Sequence, residues 1–354
     1  MTSEEAIDLL KRMIAVPSFS KEEEQVADLL TAEWTKYGYE PQRKGNNIWV
    51  KSKNWSIDKP TVLLDAHIDT VKPSYGWDTD PFLPVVKDEK LYGLGSNDTG
   101  GSVVAMMAAF LHLDKTEQSF NLICLQSAEE ENTGKHGIQW IVEDLGDITL
   151  ALIGEPTGMQ AAVAEKGLMV VDCVSHGKAG HAARNEGVNA IYAAIPDIEW
   201  FRNYRFEKIS PLLGEVKMTV TGINAGTLHN MIPDECRFMV DIRVNECYSN
   251  QEVYETIQHN IKAEMFPRSF SLGSSSIPLN HTVVERCKVL GLSTYGSPTT
   301  SNQAVIPWTS LKIGPGESSR SHTANEYIYL DEIRTGIETY VKILDKLQLD
   351  ETLG

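Results

Sequence analysis

The sequence has no run of 18 apolar residues, so a membrane-spanning helix is not expected. It has little cysteine: five residues in 354, at positions 124, 173, 236, 247 and 287, scattered, odd in number and without a C-x-x-C pair. That argues against a framework of structural disulfides, and Cys124, inside the apolar stretch NLICLQ, reads as a small core residue. Basic charge is also scarce. Thirty-two Lys and Arg face 49 Asp and Glu, a net charge of −17. Nucleic acid needs a basic footprint, so it is not an expected partner. The first residues, MTSEEAIDLLKRM, are acidic where a secretion signal would be basic, and the expected compartment is the cytosol. GLGSND lacks the third glycine of a dinucleotide loop, there is no G-x-S-x-G elbow, and no internal repeat or low-complexity segment stands out.

What remains is a chain with 42% apolar residues and a length that suggests two domains. Thr2 and Glu5 fit a capping box before Ile7, Leu10 and Ile14. Ser20 and Glu23 fit a second before Val26, Leu29, Leu30 and Trp34, with a stop at Gly38. Strands are then expected at 48–50, 62–64, 122–125 and 150–153, and helices at 101–113 and 138–145. This β-α-β rhythm predicts an α/β fold with a mostly parallel sheet sandwiched by helices. From Ala164 the texture changes to longer alternating strands, GLMVVDCVSHG, EVKMTVTGI and DECRFMVDIRV, with a helix near GVNAIYAAIPDIEWF. This is the pattern of an inserted α+β domain. The expected division is 1–163 with 276–354 for the first domain and 164–275 for the insertion, with DEIRTGIETYVKILDKL as a closing amphipathic helix.

The segment LLDAHIDTV ends a strand with His67 and Asp69, which point to one side of an extended chain. The other predicted strand ends and loops of the first domain present Asp98, Glu129, Glu130, Glu131 and Glu155. In open α/β sheets, ligands sit beyond the carboxyl ends of the strands. Alone, an H-x-D is most often a polar strand end and AEEEN a solvated turn. Together they place several carboxylates at one edge. Two such groups 4 Å apart repel by roughly 4 kcal/mol at an effective dielectric of about 20, so cations are expected there. Carboxylates with imidazoles suit two divalent metals. His322, in the loop IGPGESSRSHTANEY, supplies a second histidine. His136 lies near the acidic loop and is a candidate for a supporting contact.

AHIDTV, GSNDTGG, SAEEEN, GEPT, GHAA, HNMIPD, DIRV and GPGESSRSHTANEY, in this order over nearly the whole chain, resemble the M20 metallopeptidase family. The resemblance implies a zinc-peptidase-like fold with an inserted lid and dimerisation domain, and two Zn²⁺ per subunit for which Co²⁺ can substitute. It implies that His67, Asp98 and Glu155 hold one metal, and that Asp98 bridges to a second held by Glu130 and His322. It makes Glu129 the general base and Asp69 the residue that fixes the His67 tautomer. His181 in GHAA, Asn230 and Arg243 would close over the substrate, Arg243 reading a carboxylate, and either His181 or loop donors near Gly314 and Gly316 would stabilise the oxyanion. His181 would serve the partner's site in a homodimer formed through the lid. The expected activity is removal of an N-acyl group from a small amino acid, acetylornithine deacetylase-like. The alternatives are succinyl-diaminopimelate desuccinylase, an N-acyl-citrulline or succinylornithine deacylase, a dipeptidase, or a non-catalytic metal-dependent binding protein. Asn302 and Ser321 depart from the residues common in relatives, aspartate and alanine, and bear on substrate preference.

Overall fold

The computed structural model describes residues 1–184 and 186–349. It divides into two compact units, one of residues 1–163, 276–295 and 301–354, the other of 164–275 and 296–300. The expected insertion therefore falls in the second unit, which also takes a five-residue piece from the later chain. Among the described residues no helix is long and apolar enough to cross a membrane. The five cysteines are free, and four of them are buried.

The first unit is mixed α/β with parallel strands at the centre of its sheet. Thr61–His67 lies between Asn121–Ser127 and Leu150–Ile153 and runs parallel to both. Ser310–Lys312 runs parallel to Leu150–Ile153 on its other side. Asn47–Lys51 adds an antiparallel strand beyond Asn121–Ser127. Every residue of Thr61–His67, Asn121–Ser127 and Leu150–Ile153 is buried. Strands covered on both faces need no polar alternation, which is why these segments read as near-continuous apolar runs. One face packs Leu63, Ile123, Leu125, Ala151 and Ile153 with Ile138, Ile141 and Leu145. Helix Gly101–Leu113, buried along its length except at His112, packs with Ser3–Ile14 and Leu330–Leu344.

The strand register decides where the polar residues emerge. His67 is opposite Ser127, Asp65 is opposite Ile153, and Ile153 is opposite Lys312. The residues after these strand ends therefore leave from one edge.

Two local expectations are revised. The 138–145 segment is a short 3-10 turn, Ile138–Trp140, followed by a single helical turn, Val142–Leu145. Thr2 and Glu5 do form a capping box, but Ser20 and Glu23 do not. The Ser20 hydroxyl donates to Asp69 Oδ2 at 2.6 Å. Glu23 is buried and accepts from the backbone N–H groups of Lys21 and Glu129. Residues that look like a local cap are used across the fold instead.

The second unit is a four-stranded antiparallel sheet in the order Lys217–Ala225, Glu235–Val244, Gly167–His176, Glu264–Pro267. Helices Ala190–Asn203 and Asn250–Gln258 share the core of one face, with Met169, Val171, Cys173, Phe238, Val240 and Ile242. A short pair, Gly180–His181 with Met231–Ile232, stands apart from this sheet.

Candidate functional site

The strand ends of the first unit bring two histidines and a set of carboxylates together. His67 is at the centre. Its Nδ1 is 2.9 Å from the Asp69 carbonyl oxygen and 3.4 Å from Asp69 Oδ1. With the proton assigned to Nδ1, the Nε2 lone pair is left for a ligand. That nitrogen is 3.3 Å from Asp98 Oδ1 and 4.0 Å from both Glu130 Oε2 and Glu155 Oε1. Across Asp98, His322 Nε2 lies 3.6 Å from Oδ2 and 3.0 Å from Glu131 Oε2.

Two donor groups result, His67 with Asp98 and Glu131, and His67 with Glu130 and Glu155. In each group the ligand atoms all lie within 4.8 Å of one another. Carboxylate oxygens and imidazole nitrogens at this spacing fit divalent cations, zinc among them.

The electrostatics point the same way. Burial raises Glu130 well above the carboxylate range, and neighbouring Glu155 and Glu131 add to it against the pull of His67. Burial also pushes Glu155 up to about 8 and raises Glu131. Burial by itself would lower His67, but its bonds to Asp69 and Asp98 and the charge of Glu130 raise it well above its ordinary value. The bond to Glu131 raises His322 to about 9. Asp98, for which burial works the other way, is held low by His67. Too many carboxylates share too little positive charge. Bound cations would offset this deficit.

The supports are also carboxylates. Asp69 accepts from the backbone N–H groups of both Glu130 and Glu131, at 3.0 and 3.1 Å. Glu326, which the sequence motifs do not single out, accepts from the N–H groups of Gly95, Asn97 and Asp98. It stands in the same loop as His322, but nothing in composition or spacing says that this acid will point back into the fold. The peptide bond between Asp98 and Thr99 is cis.

Glu129 is not in this cluster. It takes a left-handed backbone conformation, φ 55°. Its carboxylate turns to His136, with Oε1 3.3 Å from Nδ1 and Oε2 accepting from the His136 N–H. A side chain at Gly134 would collide with it, so the glycine makes room for this fold-back. The acidic run therefore enters the cluster one residue later than expected: Glu131, not Glu130, faces His322, and Glu130 lies beside His67 and Glu155. Glu129 lines a separate open pocket with Lys21, Asn46, Lys135, His136 and Trp140.

Gly314 differs from expectation. The Gly314 N–H donates to Thr157 Oγ1 at 3.0 Å and is not free to meet an oxyanion. Any side chain at Gly314 would strike the Glu155 backbone, and one at Gly316, φ 84°, would strike Asn97. These are close-approach positions. Asn302 is buried and donates to Asp65 Oδ2 and Ser127 Oγ, both at 2.9 Å.

His181, Asn230 and Arg243 belong to the second unit. His181 is exposed and its Nδ1 accepts from Ala183 N–H, while the Asn230 carbonyl accepts from Ala182 N–H. Arg243 is half-buried and its fork is engaged by Asp241, Nε to Oδ1 at 2.9 Å and Nη2 to Oδ2 at 3.1 Å. Its Nη1 reaches Thr300 Oγ1 at 3.5 Å.

The family model described as peptidase family M20/M25/M40 matches residues 63–346. The chain is 26% identical, over 360 aligned positions, to a succinyl-diaminopimelate desuccinylase of Wolbachia pipientis subsp. Culex pipiens (strain wPip), covering 92% of this chain and 89% of that one. In fold it is similar to aminopeptidase PepT from Bacillus cereus ATCC 10987, with a TM-score of 0.80 at 17% identity and 98% and 99% of the two chains covered. It is also similar to a dinuclear metal binding peptidase of the M20 family from Bacillus subtilis, with a TM-score of 0.73 at 16% identity and 97% and 99% covered. With a carboxylate–histidine cluster at the sheet edge and the family model spanning most of its length, the chain belongs to peptidase family M20/M25/M40 and is a metal-dependent amide hydrolase.

Proposed function

We propose that the cluster hydrolyses the acyl amide of a small N-acyl amino acid, with N-succinyl-diaminopimelate as the first substrate to test. The observation that carries the catalytic reading is the different placement of two adjacent glutamates. Glu131 is paired with His322 beside Asp98, and Glu130 is left between His67 and Glu155. His67, Asp98 and Glu155 would hold one cation, and Asp98, Glu131 and His322 the other. Both would be zinc, replaceable by cobalt. Bound there, the cations would supply Lewis acidity and bring the pKa of water toward neutrality.

The chain's own residues do the rest. Glu130, whose burial raises its proton affinity, accepts a proton at a carboxylate oxygen from the attacking water and returns it to the leaving nitrogen. Asp69 fixes the His67 tautomer and, through two backbone N–H groups, the direction in which Glu130 and Glu131 point. Arg243, oriented by Asp241, reads a substrate carboxylate through its remaining N–H edge. His181 and Asn230 complete the lid.

The curated relative's name favours a succinylated diamino acid. The acetylornithine reading rests on the sequence motifs alone and comes second. Assembly is proposed as a homodimer through the second unit. Its terminal strand Lys217–Ala225 is paired on one side only within that sheet, and a two-fold partner would cover that edge.

A hydrolysis panel tests the function: N-succinyl-diaminopimelate, N-acetylornithine, N-succinylornithine, N-acetylcitrulline and di- and tripeptides, each with zinc and with cobalt. Turnover of the succinylated diamino acid above the others is expected. Two bound metal equivalents with no turnover on any member would leave a binding protein on an enzyme scaffold.

A further inference from the structure

Two buried polar side chains of the first unit, neither of them a candidate ligand, link the loop that carries Asp98 to the loop that carries His322. Asn97 is fully buried, and it reaches out of the first loop into the second. Its Oδ1 accepts from the Glu317 N–H at 2.9 Å, and its Nδ2 donates to the Glu317 carbonyl at 3.1 Å and to Ser321 Oγ at 3.3 Å. Glu326 is 2% exposed and reaches the other way. Its Oε1 accepts from Asn97 N–H at 2.8 Å and Asp98 N–H at 2.9 Å, and its Oε2 accepts from Gly95 N–H at 3.1 Å. The Glu326 carbonyl also accepts from Gly93 N–H at 3.1 Å.

Each loop thus supplies one side chain that satisfies backbone groups of the other. The residues held are neighbours of the ligands in sequence: Asn97 precedes Asp98, and Ser321 precedes His322. Glycines allow the approach. Gly316 lies so close to Asn97 that a side chain there would overlap Oδ1, and Gly95 takes a left-handed turn, φ 74°, that a substituted residue would strain. Buried polar groups that satisfy one another completely fix a unique arrangement, and a partial loss leaves an unpaired group behind.

We infer that Asn97 and Glu326 form a reciprocal clasp that sets Asp98 against His322, so that the second metal equivalent is retained only while both halves are intact. The inference rests on the dinuclear reading above. Both are positioning residues: they touch the backbone of the ligand loops and act through Asp98 and His322. The first equivalent shares Asp98 but depends less on the clasp, because its other two ligands, His67 and Glu155, leave from strand ends of the central sheet.

The test uses the full-length chain, stripped with chelator and titrated with zinc by calorimetry. Glu326→Gln keeps the shape but turns one acceptor into a donor, which then faces a backbone N–H. Asn97→Ala removes the other half. Each variant is expected to bind the weaker zinc equivalent at least tenfold less tightly while the tighter one stays within about threefold of wild type. The double variant should lose less than the product of the two single losses, because one clasp can be broken only once. With cobalt, the visible absorption of the second equivalent should change in the same variants. If Asn97→Ala does not fold, Asn97→Asp replaces it, keeping the acceptor for Glu317 N–H and losing both donated bonds. Variants that bind both equivalents with wild-type affinity and show only a lower melting temperature would reduce the clasp to a fold contact and overturn the inference. Wild-type protein that takes up no zinc would overturn the dinuclear reading itself, and the clasp with it.

Discussion

In the first unit His67 and Asp98 are buried, Glu130, Glu131 and Glu155 are half-buried and His322 is exposed, and the loops that carry Asp98, Glu130 and Glu131 are tied down by carboxylates that accept backbone N–H groups. In the second unit His181 and Asn230 are exposed on a two-stranded arm, and Arg243 already shares its fork with Asp241. The contrast separates two tasks. The first unit has a fixed arrangement of charge that pays a desolvation cost in advance, visible in the raised Glu130 and Glu155. The second presents donors whose partners are local and exchangeable. Chemistry should therefore respond steeply to changes among the carboxylates of the first unit, and substrate preference to changes at Arg243 in the second.

The steepest loss is expected from the acid beside His67 in the first unit. Glu130→Gln should lower kcat by about 10²–10⁴ while metal content is kept, the range for loss of a general base. Glu129→Gln should stay within about tenfold, because its carboxylate turns to His136 and away from the cluster. Parallel assays with elemental analysis decide it. The opposite ranking would return the proton transfer to Glu129.

The next prediction joins the units across a dimer. His181→Ala and Glu130→Ala, each inactive alone, should recover roughly a quarter of wild-type activity on co-refolding, half the dimers times half the sites under two-fold symmetry. Proven heterodimers without recovery would place His181 outside the partner's site.

A smaller change is expected at Arg243. Arg243→Lys replaces a fork by a point charge, and should raise KM for a substrate with an α-carboxylate by roughly tenfold with kcat little changed. An equal loss on the α-amide analogue would show that Arg243 does not read that group.

The smallest effect concerns pH and the metal-stripped protein. Glu155 holds its proton up to about 8 in the folded chain, against an ordinary value of 4.5. The folded state then binds more protons than the unfolded one between these values, so stability falls as pH rises from about 4.5 to about 8. His322, raised to about 9 from 6.5, acts in the same direction: its contribution is present below about 6.5 and is lost by about 9. Melting of the stripped protein should drop by several degrees between pH 6 and 9, and zinc should flatten the slope. A stripped protein that gains stability over that range would contradict the crowding of carboxylates in the cluster.

His67, Asp98, Glu155 and His322 were legible in the sequence because strand ends are. They follow predicted strands or sit in a glycine-rich loop, and the parallel register fixes which edge they leave from. The run Glu129–Glu130–Glu131 was not legible at single-residue resolution. Three identical side chains follow one another, and only the left-handed turn at Glu129 decides which of them enters the cluster. Ser20 and Glu23 misled for a related reason: the spacing of a helix cap is local, whereas their partners, Asp69 and Glu129, are 49 and 106 residues away. Glu326 and Asn97 lie inside the motifs GPGESSRSHTANEY and GSNDTGG, but most of their bonds go to the backbone of a distant loop, so the residue types there do not name them as partners. In the second unit, the alternation of the strands gave the sheet, but nothing in DIRV says that its aspartate will occupy its arginine.

Asp69 addresses its neighbours through main-chain N–H groups, so it is blind to which side chains those residues carry. A scaffold of this kind is a socket. The side chains at 130 and 131 can be exchanged, one donor atom for another, without disturbing the bonds that aim them. The same holds at 98, where Glu326 grips only the amide. Metal preference and proton-transfer chemistry can therefore drift by single substitutions while the support stays as it is, which makes these three positions the places to redesign the reactivity of this chain without redesigning its fold.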